Sequence, residues 1–574
     1  MTVQKQQHHL DQDPDKEKKS ITKKIPGRRF RSQGFLLNSR LRPVRKSKRI
    51  ERYRGSILKS EDPPLEWAFK WVGSIFNNFP LLFEAIYRQG EQIFRNGAAK
   101  PEEIRRVRKV PQNQKIRGRI SIAKINPRID SRRSVGEVEA ALRKVVGDIG
   151  GFEFLSSPCR GKKNNEHTVL IKVGVNWGVN GYPTVTSWES VYAVAKMCLE
   201  EGEKRGAKVR VIVGDESGIE NGLWRGTTME NFEHTKIYHA AVLAGLEHAA
   251  SLESAGSVNF KGAGEYLQVV HAEEKITEEM ERMAQKAGVE IIAFGDKEED
   301  FMKVPIPDEE KVKHFKDGIF VPRVVGTEVT DIINLSKPPG RHLIMGNVGL
   351  TGALKNHVGL LKASDRSGML HGGWDSPPDS NENEGGIKRF VRKLIRFINW
   401  IIHGPGMGFH EKIVEIYLAF EDKERFSVTD MRQTVSSLGP DIGDTIDIGV
   451  VIAAQDPVTL DVVAGAFLKE RYKKIGTWLD ALKLGGDTFW EYWAGKTWLR
   501  NCTPFDLKSH IAANSYGIGP IDLNHIEFQG FQSSGFRVGE LRAAAAHLQV
   551  QKKITLQTIA KRLLPKWRLG SSAP

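Results

Sequence analysis

Val211-Ile212-Val213-Gly214-Asp215-Glu216-Ser217 is a β-branched run that stops abruptly at a glycine and an acid. An uninterrupted apolar run of this length suits a strand buried on both faces, which is the habit of parallel sheets. The residues upstream fit that reading. A strand at 208–213 follows a helix at 187–204, which has Ser187 at its N-cap, Glu189 in its first turn and Gly206 beyond its end. Before that helix lies another β-branched run at 168–173, closed by Val169-Leu170-Ile171-Lys172. Downstream the alternation continues. Helices are expected near 235–249 and 276–287, with strands at 267–270, 289–294 and 330–335. Further strands are expected at 425–430 and 446–453, and further helices near 350–361, 387–402, 409–419 and 456–471. The pattern predicts an α/β fold, with a mostly parallel or mixed sheet covered by helices on both faces.

The ends differ from this body. The 574 residues carry a net charge of +16. Residues 1–60 hold 18 Lys/Arg against 5 Asp/Glu, and residues 541–574 hold 7 Lys/Arg and no acid, so the body between them is at −4. That argues against a nucleic-acid enzyme with a basic cleft throughout. It leaves basic ends that could hold a polyanion, either nucleic acid or an anionic membrane surface, by counterion release, or that are simply solvated. The chain therefore divides into a basic, disordered arm (1–62), a helical and linker extension (63–150), an α/β domain (165–530) and a basic tail (541–574). Within the extension, 64–97 reads as helix and 98–132 as irregular basic linker, ahead of a helix at 135–147. Residues 372–386 read as a mobile polar loop. The helix at 387–402 is basic and amphipathic, suited either to packing on the body or to a membrane-surface or protein contact.

Three cysteines, Cys159, Cys198 and Cys502, lie far apart with no CxxC pair. This argues against a disulfide framework, a cysteine zinc site or an iron–sulfur cluster within the chain. Reduced cysteines in the core are expected. No run of about 18 apolar residues occurs, and Arg28-Arg29 lacks the apolar stretch of an export signal. A cytoplasmic protein, with peripheral membrane contact open to it, is the expectation.

Four polar clusters fall at strand ends. Lys172 closes one buried strand and Asp215 another, at the carboxyl edge where open α/β sheets bind ligands. Each has a plainer alternative: a lysine reaching solvent, and an aspartate capping a turn. The third cluster is Asp331-Ile-Ile-Asn334-Leu-Ser-Lys337, then His342, then Gly349-Leu-Thr351-Gly352-Ala-Leu-Lys355-Asn356-His357. A small-residue turn entering a helix offers backbone amides to an anion. Gly349, Thr351, Gly352, Lys355 and Asn356 are therefore candidate anion-binding residues. His342 suits proton transfer, and with Lys172 and Lys337 it makes up the candidate catalytic set. His342, His357, His371 and His410 lack the spacing of a metal pair. The fourth cluster holds Asp430 at a strand end and Asp456-Pro457-Val-Thr-Leu-Asp461 at a helix start. Asp456 reads as an N-cap with Pro457 at the first helical position. Asp215, Asp430 and Asp461 would together suffice for a hard divalent cation such as Mg²⁺.

These motifs, in this order, resemble domain-of-unknown-function family 362, an uncharacterised bacterial and archaeal family. The matching positions are Lys172, Asp215, Asn334 with Lys337 and His342, Thr351 with Lys355 and Asn356, Asp430, and Asp456-Pro457-Val458 with Asp461. Two departures stand out. Val173-Gly174 replaces Pro-Asn after the first lysine, and Pro338-Pro339-Gly340-Arg341 replaces the segment that carries the family's second lysine. Some relatives add a ferredoxin-like four-cysteine segment that is missing here, which weakens a redox accessory role. The residues point first to an enzyme or binding protein for a small anionic molecule. A non-catalytic scaffold using the basic ends is the alternative.

Overall fold

The computed structural model describes residues 118–128, 134–159, 164–175, 181–217, 227–255, 263, 266, 276–295, 301–307, 312–340, 352–362, 366, 370, 407–435, 445–473, 508–520 and 525–530. The arm, the tail, the 64–97 helices, the strand expected at 267–270, the 372–386 loop and the 387–402 helix lie outside these residues.

In chain order, the first half gives β1 (Gly118–Lys124), α1 (Ser134–Asp148), β2 (Glu166–Lys172), α2 (Trp188–Lys204) and β3 (Lys208–Asp215). Then follow α3 (Thr228–His234), α4 (Ile237–Ser254), α5 (Glu278–Lys286) and β4 (Val289–Ala293). The antiparallel pair β5 (Phe301–Val304) and β6 (Ile319–Pro322) precedes α6 (Arg323–Thr327), β7 (Asp331–Ser336) and the four-residue α7 (Ala353–Asn356). The chain closes with α8 (Met407–Leu418), β8 (Glu424–Val435), β9 (Thr445–Ala454), α9 (Pro457–Lys473), α10 (Lys508–Ser515) and β10 (Ile526–Gln529).

Helix ends follow local chemistry. The Ser187 hydroxyl accepts the Ser190 amide at the start of α2, and Gly206 beyond its end has φ 65°, which a residue with a Cβ tolerates poorly. Thr227 and Glu230 form a capping box on α3.

Eight strands form one mixed sheet in the order β10-β1-β9-β8-β7-β2-β3-β4. The block β8-β7-β2-β3-β4 is parallel throughout. β9 and β1 continue it antiparallel, and β10 runs parallel to β1. Because side chains alternate along a strand, β2 and β3 supply two cores. Val169, Ile171, Val211 and Val213 pack with Val145, Ala195, Ala241 and Met283 on one face. Leu170 and Ile212 pack with Leu354, Val414, Phe467 and Ala512 on the other. Helices thus cover both faces, as the strand patterns predict. Among the described residues no helix is long and apolar enough to cross a membrane.

Two expectations change. The linker reading of 98–132 fails at β1, which lies between β9 and β10 inside the sheet. β1 and α1 therefore join the α/β body, ahead of the expected start at 165. The short pair β5 and β6 was also not foreseen.

The connectivity positions a site. From β2 the chain steps outward to β3 and then β4; β7 then returns to the opposite side of β2. The strand order reverses between β2 and β7, and the crevice beyond the carboxyl ends of such strands is the ligand position in open α/β sheets. Lys172 and Asn334 are register partners there.

Candidate functional site

Lys172, the last residue of β2, is 0% exposed. Its ammonium donates to Asp215 Oδ1 at 2.7 Å and to the Val173 carbonyl at 2.6 Å, and it reaches Asn356 Oδ1 at 3.4 Å. Asp215, ending β3, accepts the Val175 amide on its second oxygen at 2.5 Å. Asn356, on α7, returns its amide to the Lys172 carbonyl at 3.1 Å and to Asn334 Oδ1 at 2.8 Å. Asn334 then donates to the Ala353 carbonyl and to Ser427 Oγ. Beyond Ser427 lies Glu424, whose other oxygen is 2.5 Å from Nε2 of the buried His357. One polar chain thus ties β2, β3, β7, β8 and α7 together.

Glycines make this density possible. A Cβ on Gly359 would fall 2.1 Å from Asp215 Oδ1 and 2.7 Å from Lys172 Nζ. A Cβ on Gly174 would fall 2.8 Å from Asn356 Oδ1 and 3.3 Å from the Lys337 amide. Gly174 thus serves a close approach between β2's end and α7. Lys337, beside it, is 6% exposed. Lys355 is half-buried.

Burial is the largest influence on both members of the Lys172–Asp215 pair. It lowers the lysine and raises the aspartate, and each movement is opposed by the other's charge and hydrogen bond. A second buried pair adjoins them. Arg366 contacts Glu216 Oε1 at 2.9 Å and donates to the Glu216 and Ser217 carbonyls. The sequence reading missed this pair, because nothing local links positions 150 residues apart.

The remaining aspartates have other partners. Asp461, on α9, accepts the Ala353 amide on one oxygen at 2.7 Å and the Leu354 amide on the other at 2.9 Å. Burial pushes its carboxyl up to about 8; those two amides oppose the shift, while Asp456 and Glu424 reinforce it. Asp430 binds Arg432 with both oxygens and accepts the Ser187 hydroxyl at 2.8 Å. Arg432 also reaches Glu189 and lies over the Tyr182 ring. Asp456 accepts the Thr459 amide and hydroxyl, the N-cap arrangement expected of it.

One expectation is corrected on this geometry. Asp215, Asp430 and Asp461 are not a converging set of ligand atoms among the described residues. Among the described residues the three-member set that does converge is Cys159, His167 and Asp331, at the other end of the sheet. At the start of α7 the Ala353 and Leu354 amides go to Asp461, while Gly349 and Thr351 of the expected anion-binding turn lie outside the described residues. Gly352 is the residue that admits the Asp461 carboxylate, since a Cβ there would lie 2.0 Å from Asp461 Oδ1. His342 also lies outside the described residues. The structure brings Lys172, Asp215, Asn356 and Lys337 to one edge and leaves Asp430 and Asp461 in separate contacts.

Residues 271–466, about a third of the chain, match the family model described as Domain of unknown function (DUF362), an uncharacterised family. The segment contains Asn334, Lys337, Asn356, Asp430 and Asp461; Lys172 and Asp215 precede it. No curated protein and no solved structure matches the chain.

Proposed function

We propose that this chain, similar to the DUF362 family over residues 271–466, is an enzyme or ligand-binding protein for a small anionic molecule, held at the carboxyl edge where β2 and β7 part. The observation that carries this reading is the wholly buried Lys172, paired with Asp215 at the reversal of strand order. A buried ion pair in hydrophobic surroundings is costly, and a hydrophobic pair of similar volume is often as stable or more so. Its position at the reversal of strand order, where open α/β sheets bind ligands, therefore supports a functional role. Lys337 and Lys355 supply positive charge to the anion. Lys172 and Asp215, each moved by burial toward its neutral form, suit a proton exchanged between Nζ and Oδ1. His342 keeps the proton-transfer role that its sequence context suggests.

Thermal unfolding with inorganic phosphate, pyrophosphate and citrate at constant ionic strength tests this. At ligand near 100 times Kd, Tm should rise by roughly 3 °C for at least one anion, and Lys337→Ala should lose that rise. Equal shifts in both proteins, or none, would contradict the reading.

A further inference from the structure

At the amino ends of β2 and β7, opposite the lysine site, three donors of different chemistry meet. Cys159 Sγ lies 3.0 Å from His167 Nδ1 and 3.4 Å from Asp331 Oδ2, and His167 Nδ1 lies 2.7 Å from that same oxygen. We propose that Cys159, His167 and Asp331 bind one divalent cation of the zinc class.

The orientation of the imidazole supports this. His167 Nε2 faces the Ser157 carbonyl at 3.2 Å and Asn165 Oδ1 at 3.0 Å. The Asn165 amide nitrogen donates to the Leu155 carbonyl, which sets that side chain with its oxygen toward the ring. Both partners of Nε2 are acceptors, so Nε2 carries the hydrogen. Nδ1 then presents a lone pair to a carboxylate oxygen 2.7 Å away, and two lone pairs at that distance need a cation or a second proton between them. A ring N–H donated to a carbonyl, with the other nitrogen on the ion, is the usual arrangement around a metal-bound histidine.

The carboxylate is prepared in the same way. Arg425 Nε holds Asp331 Oδ1 at 2.5 Å, leaving Oδ2 toward Cys159 and His167. The Thr330 hydroxyl also reaches Oδ2, at 2.7 Å, and a carboxylate oxygen has a further lone pair for an ion. His167 and Asp331 are buried while Cys159 is half-buried, so solvent reaches the thiol side. Thiolate, imidazole and carboxylate suit a borderline ion such as Zn²⁺ rather than Mg²⁺. Zinc bond lengths in a tetrahedron place such donors about 3.3–3.6 Å apart. The cluster therefore opens by roughly half an ångström to admit the ion. Cys159 binds as thiolate and releases its proton to solvent. Three protein donors leave a tetrahedral ion one further position.

Cobalt is the probe, because a thiolate–Co²⁺ bond absorbs in the near ultraviolet. The full chain, stripped with chelator, is titrated with Co²⁺ and then Zn²⁺. The expected result is a charge-transfer band saturating at about one equivalent, displaced by Zn²⁺. Cys159→Ser should abolish the band, and Cys198→Ala, which changes a cysteine buried on α2, should keep it. Circular dichroism confirms that each variant folds. A band unchanged in Cys159→Ser would overturn the proposal. So would the absence of cobalt uptake by the wild-type chain, which would leave a second proton on His167 as the charge facing Asp331.

Discussion

Lys172 and Asp215 compensate each other's charge in a place that water does not reach. Removing only the acid leaves a buried ammonium without its counter-charge. Asp215→Ala should therefore cost about 3–5 kcal/mol, read from the urea midpoint. The double change Lys172→Met with Asp215→Leu should recover much of that loss, short of the Val175 amide that Asp215 also satisfies. Losses that simply add in the double variant would show that the two residues are not coupled. Both residues were legible in the sequence, because each ends a β-branched run and strand ends are where ligand-site residues collect. Their pairing was not, because β2 and β3 become neighbours only once the sheet forms. The plainer alternatives for them, a lysine reaching solvent and an aspartate capping a turn, are replaced by a buried contact. Asp430 and Asp461 were legible as polar positions and misread as ligands, because each one's nearest donor comes from elsewhere: Arg432 two residues on, and the amides of α7 more than a hundred residues back.

At the scale of elements, α7 is too short to hold itself in place and is held by Asp461 on α9. The pH dependence follows from that burial. The Asp461 carboxyl is pushed up to about 8 in the folded chain, against about 3.9 when unfolded. The native state thus binds a proton that the unfolded state has lost across that interval. The contribution is complete below the unfolded value and is lost as pH rises through the folded one. Wild-type stability should carry a component that falls between about pH 4 and 8, and Asp461→Asn should remove it. Denaturant midpoints at pH 5 and pH 8.5 for both proteins check this; identical pH dependence would contradict it. Long elements such as α2, α4 and β2 were legible from period and caps. β1 was not, because Gly118-Arg-Ile-Ser-Ile-Ala-Lys124 is a short alternation set in a basic stretch, and its burial comes from β9 and β10. The expected N-cap at Asp456 is present because that signal is local.

For the whole molecule, one seven-residue strand separates two polar ends. β2 begins beside His167 and finishes at Lys172, a span on the order of 20 Å. The carboxyl end gathers lysines and amides, and the amino end gathers a thiol, an imidazole and a carboxylate. An order such as β10-β1-β9-β8-β7-β2-β3-β4 cannot be read from periodicity, which reports faces and not neighbours. The reversal of strand order beside β2 therefore emerges only from the folded chain. The proposed occupant of the carboxyl edge between β2 and β7 is a small anion. The most direct measurement is mass spectrometry of the small molecules released on denaturing identically purified wild-type and Lys337→Ala protein. An anionic compound should be enriched on the wild type and depleted on the variant. The same small-molecule content in both would contradict it.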